Sequence, residues 1–94
     1  MNWLEYQIEC KGMVESVQKV TDDPYILGYL EILKKSIQVQ EILIINQVSK
    51  RLVDWYEVKI DSILKDPFIY DKENQKKTYH LFTSLYNDTM PIRQ

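Results

Sequence analysis

Apolar residues recur at helical spacing along most of this chain, and the longest such stretch is residues 24–48. Placed at 100° per residue, Ile26, Leu30, Leu33, Ile37, Ile44 and Val48 fall on one stripe. Tyr25, Ile32, Val39 and Leu43 fall on a second, adjacent stripe, while Glu31, Lys34, Lys35, Gln38 and Glu41 fill the remaining wedge. An ordinary surface helix buries one stripe, so this stretch is expected to touch two neighbours. Ile42, Leu43, Ile44 and Ile45 point in nearly all directions and form an apolar collar, expected mid-bundle or in a subunit interface. A strand over residues 37–45 competes because β-branched residues are dense there. The helical reading is preferred, since the period continues on both sides and no turn residue bounds the run.

Before this stretch, Trp3, Tyr6, Cys10, Met13, Val17 and Val20 step by three and four, the seam of a helix over about residues 2–20. Leu4, Ile8 and Val14 widen the seam, and Gly12 weakens its middle. Thr21, Asp22, Asp23 and Pro24 then stop one helix and start the next: Asp caps, and Pro suits the first turn. A connection this short predicts an antiparallel hairpin.

Past Val48 the apolar face changes. Leu52, Val53, Tyr56, Ile60, Ile63 and Leu64, with Trp55 at the edge, form an arc rotated well over a quarter turn from the preceding stripe. Either the helix breaks around residues 46–50, with Ser49 as a cap, or one long central helix serves two partners; the break is the preferred reading. Lys65, Asp66 and Pro67 end the segment. Phe68, Ile69 and Tyr70 are expected to tuck against the bundle. A last helix over about residues 72–87 buries Thr78, Tyr79, Leu81, Phe82, Leu85 and Tyr86. The expected architecture is therefore all-α, a three- or four-helix bundle of antiparallel hairpins. It forms a single domain over residues 1–94, with helices at 2–20, 24–48, 50–65 and 72–87 and a tail at 88–94.

Composition narrows the functional classes. A chain of 94 residues, 45% hydrophobic, folds around a modest core and is of a size that gains stability by oligomerising. A net charge of −2 disfavours nucleic acid as partner, since free nucleic-acid binders are usually basic. The lone Cys10 excludes an internal disulfide framework and suits a reducing cytosol. No signal pattern and no apolar run of the ~18 residues needed to span a bilayer appear, so a cytoplasmic protein is expected, without a membrane partner. Alanine is absent while Ile, Lys and Tyr abound, a bias of AT-rich bacterial or phage genes.

Candidate chemistry is sparse. Asp54, Glu57 and Asp61 share a helix face, but Lys50 and Lys65 flank them at helical spacing, and the Glu-x-x-His partner of bundle metal sites is absent. His80 stands among Lys76, Lys77 and Ser84, poor company for a base or ligand. No phosphate loop or nucleophile elbow occurs. No catalytic residue, cofactor or metal is expected, and the chain reads as a non-enzyme. Lys72, Lys76, Lys77 and His80, with Asn74 and Gln75, define the alternative of a DNA-binding regulator reading through the last helix. The unusual signal is aromatic: seven tyrosines and two tryptophans exceed what so small a core holds, so some are expected at an interface. Trp55 and Tyr56, with Arg51 beside them, are the candidate partner-binding residues; Ile42, Leu43, Ile44 and Ile45 are the candidate oligomer interface, a homodimer being expected.

Met1, Asn2 and Trp3 at the start, with Cys10 in the first helix, resemble the opening of small helical accessory proteins carried on staphylococcal pathogenicity islands and phages. The resemblance covers about the first ten residues. It implies a mobile-element accessory protein or inhibitor that binds a host or phage protein, and it transfers no site residue. Bacteriocin immunity proteins are similar in size and helix count alone.

Overall fold

A computed structural model describes residues 2–90. The chain forms four helices, α1 (Trp3–Gln18), α2 (Pro24–Val39), α3 (Ile42–Lys65) and α4 (Lys72–Asp88), with no strand among the described residues. Each helix packs on the next in sequence, and α4 closes the ring against α1. One core draws on all four helices.

Local chemistry explains each element. Asn2 caps α1, its Oδ1 accepting from the Glu5 N–H at 3.1 Å. Its buried seam is Tyr6, Cys10, Met13 and Val17, with Trp3, Val14 and Val20 packed at the edge, as the spacing predicts. Leu4 and Ile8 do not widen that seam: they stand exposed. Asp23 caps α2 by accepting from the Tyr25 N–H at 2.9 Å, and Pro24 opens the first turn. Ile26, Leu30, Leu33 and Ile37 are its core face.

The stretch 24–48 is not one helix. It breaks at Gln40, well before residues 46–50. Gln40 adopts the left-handed conformation (φ 58°, ψ 44°), and the Glu41 N–H reaches back to the Ser36 carbonyl at 3.0 Å. That is the hydrogen-bond pattern with which a helix commonly ends on glycine. The change of apolar face read from sequence thus comes from a helix break at Gln40, and residues 42–65 form one helix. Ser49 is no cap: fully buried in the middle of α3, its hydroxyl donates to the Ile45 carbonyl at 2.6 Å. An L-residue in the left-handed region costs about 1–2 kcal/mol, so Gln40→Gly is expected to stabilise the protein by up to about 1 kcal/mol, after the greater chain entropy of glycine is offset. A urea midpoint that falls on this substitution would contradict the strain at Gln40.

Polar bonds tie α4 to its two neighbours. The Tyr6 hydroxyl donates to Asp88 Oδ2 at 2.6 Å, and Gln75 Nε2 donates to the Ser16 carbonyl at 2.8 Å. On the other side, Asn46 Nδ2 donates to the Tyr86 carbonyl at 3.0 Å, and the Tyr56 hydroxyl donates to Gln75 Oε1. Lys19 pairs with Asp71 at 3.1 Å, which sets the α1–α2 and α3–α4 connections at the same end of the bundle. The expected tail falls partly within this fold. Asp88 closes α4 and Thr89 is buried against it, while residues 91–94 lie outside the described range.

Candidate binding surface

Each candidate partner-binding residue now has a place. Tyr56 is fully buried, so it is not a surface contact. Its ring meets Tyr79 and Phe82 at 5.9 and 5.8 Å, and its hydroxyl joins Gln75 and Ser16 in a polar relay across α3, α4 and α1. Burial, with the Asp71 charge beyond it, pushes the Tyr56 phenol well above its usual range. Trp55 is half-buried and stands edge-on to Tyr56 at 4.9 Å. Arg51 is exposed, but its guanidinium lies 5.7 Å from the Tyr29 ring of α2, not on Trp55. The cation over Trp55 is Lys59, at 5.8 Å.

The apolar collar divides in the same way. Ile45 is fully buried in the core and offers no interface. Ile42, Leu43 and Ile44 remain 41%, 71% and 37% exposed. The helix break at Gln40 explains the split. It points Ile45 inward, toward the core also entered by Ile37, and turns the preceding residues out.

Two further features are exposed. Phe68 and Tyr70 do not tuck against the bundle; they are 82% and 92% exposed, and Ile69 alone packs on the core. The loop is braced: Asp66 accepts from the Phe68 N–H at 2.9 Å, and Asp71 holds Lys19. Tyr25 stands exposed at the same end, beside Asp22 and Asp23. The second feature is the stripe Tyr25, Ile32 and Val39 of α2. Sequence assigned it a second neighbour, yet within the chain it is left uncovered. The signal for both was the surplus of large apolar and aromatic side chains; which of them fail to find a place inside is decided by packing.

The other candidates are engaged modestly. Asp54 pairs with Lys50 at 2.7 Å, and Glu57 accepts from the Tyr79 hydroxyl at 3.4 Å. Among the described residues no group of three acidic, His or Cys side chains could hold a metal. On the last helix, Lys76 pairs with Glu73 at 3.5 Å, and His80 lies exposed against the Tyr79 ring. Lys77 and Gly12 border a groove of about 230 Å³ between α1 and α4. Cys10 is buried, and desolvation raises its thiol above the usual range, away from nucleophilic reactivity.

Fold and surface together define a small all-α helical bundle that offers an apolar stripe along α2 and aromatic rings at one end. No family model matches the chain, and no curated protein or solved structure matches it.

Proposed function

We propose that this is a small non-enzymatic protein-binding module, an accessory or inhibitor protein of phage or mobile-element type that acts in the cytoplasm by docking onto another protein. The observation that carries this reading is the braced aromatic end. Phe68 and Tyr70 stand out in solvent on a short loop that Ile69 anchors to the core and that the Lys19–Asp71 pair joins to the α1 end. Tyr25 shares that end, and exposed rings of this kind are the side chains that dominate protein–protein hot spots. The neighbouring carboxylates of Asp22 and Asp23 suit a partner with a basic rim. Arg51 and Trp55 extend the surface along α3. The same reading takes the helices as antiparallel hairpins, supported by the pairing of Tyr6 with Asp88 and Ser16 with Gln75. It also takes the protein as a homo-oligomer, supported by the aliphatic surface left uncovered on α2.

Affinity capture from the native cell tests the docking surface. The wild-type chain is expected to retain one stoichiometric protein. Phe68→Ala with Tyr70→Ala is expected to weaken that capture by about 2 kcal/mol or more, with stability changed by no more than about 0.5 kcal/mol. Arg51→Ala tests the extension along α3. Undiminished capture by the double variant sinks the aromatic end as the docking surface.

A further inference from the structure

Gln40 is the single residue with positive φ among the described residues, and local chemistry does not call for the break it makes. Residues 38–43 are Gln, Val, Gln, Glu, Ile and Leu, with no glycine or proline. No side chain caps the first N–H groups of α3. On a straight helix the apolar stripe of residues 26–48 would run unbroken through Gln40. Ile26, Leu30, Leu33 and Ile37 before the break and Val48 after it are buried. Ile44, which belongs between Ile37 and Val48 on that stripe, is 37% exposed. We propose that Gln40 is a hinge: it straightens to join α2 and α3 into one helix over residues 24–65, and two copies of the chain then exchange their α1–α2 halves. This rests on the homo-oligomer part of the proposed function and leaves the aromatic docking end aside.

Three observations favour the exchange. Straightening removes the left-handed strain once per chain and gives the first N–H groups of α3 the last carbonyls of α2 as partners. Short hinges under strain are the ones that invite exchange between copies. Second, exchange gives up no polar bond between the two halves. Tyr6 with Asp88, Gln75 with Ser16, and Lys19 with Asp71 all form equally well between chains, since the same side chains meet. Third, the existing packing sets the register. Arg51 of α3 lies against Tyr29 of α2, and the two stand equally far from Gln40 in sequence. A straightened helix that makes this same contact with its copy therefore has the two-fold axis at Gln40. Each Ile44 then lies near the second copy's Ile37, which closes the stripe that the break interrupts. Tyr25, Ile32 and Val39 take no part in it.

Light scattering of the full chain at high micromolar concentration is expected to give twice the 11.3 kDa of one chain. Tyr29→Cys with Arg51→Cys, treated with a short bifunctional thiol reagent, then reads the exchange directly. The two new thiols belong to one chain in an unexchanged protein and to two chains in an exchanged one, while Cys10 is buried. The linked dimer is expected to run at the two-chain mass on a denaturing gel. Gln40→Gly, in the otherwise unchanged chain, favours the break and weakens a continuous helix at both hinges of a dimer. It is expected to raise the dimer dissociation constant at least about tenfold. A dimer linked only within its chains, or one indifferent to Gln40→Gly, overturns the hinge and leaves the homo-oligomer reading standing. A wild-type monomer overturns both. None of these outcomes depends on Phe68 or Tyr70.

Discussion

Tyr56→Ala is expected to cost about 3–5 kcal/mol of stability, the range for removing a fully buried aromatic ring. Two losses add. The cavity faces Tyr79 and Phe82, which rest against the ring, and the truncation leaves Gln75 Oε1 without its donor. Gln75 is itself fully buried, and its amide nitrogen is committed to the Ser16 carbonyl, so it cannot turn to water without breaking a second bond. Tyr56→Phe separates the two effects. It keeps the ring and orphans the oxygen, for an expected cost of about 1–3 kcal/mol. Urea titrations of the three proteins read both costs. Equal midpoints for Tyr56→Phe and wild type would show that the relay contributes nothing net. For a domain whose whole stability is of the order of 5–15 kcal/mol, the alanine variant is expected to be largely unfolded under mild denaturing conditions.

Alkali is expected to unfold the protein through the same tyrosine and one other. Burial is the leading cause that holds the phenols of both Tyr6 and Tyr56 above their ordinary value of 10.0; for Tyr6, the hydrogen bond to the Asp88 carboxylate adds to it. A phenol with a raised folded-state pKa stays protonated in the native protein while the unfolded chain loses its proton. Above the unfolded pKa the unfolded state therefore binds fewer protons, and stability falls as pH rises. The contribution is whole below about pH 10 and is lost progressively above it. Urea midpoints are expected to stay level between about pH 7 and 9 as far as these two groups are concerned, and then to drop. In Tyr56→Phe the drop should be shallower, because one of the two titrating groups is gone. A slope above pH 10 identical in both proteins would remove Tyr56 as a cause.

Much of the candidate surface was legible as a surplus and not as a location. Seven tyrosines, two tryptophans and an aliphatic stretch with two apolar stripes exceed what four short helices enclose. From that excess an interface follows on physical grounds. The addresses did not follow. Tyr56 and Trp55 are adjacent in sequence, and one is wholly enclosed while the other keeps an open edge. Arg51 sits four residues before Trp55, the spacing of neighbours on one helix face, yet it found its ring on α2, at Tyr29. A side chain as long as arginine takes the nearest aromatic face in space, and only the packing of α3 on α2 sets which face that is.

The sequence by itself determined the helical class, three of the four helix starts and most of the buried positions. Those depend on local chemistry: an Asp cap followed by Pro24, proline after Asp66, and apolar residues stepping by three and four. Tertiary structure alone decided the helix break at Gln40, where no glycine or proline announces a turn. There the left-handed strain is tolerated because breaking the helix lets Ile37 and Ile45 enter one core. It also decided the exposure of Phe68 and Tyr70. A short apolar run is buried only if the neighbouring helices leave it room, and of the loop between Asp66 and Asp71 only Ile69 packs on the core.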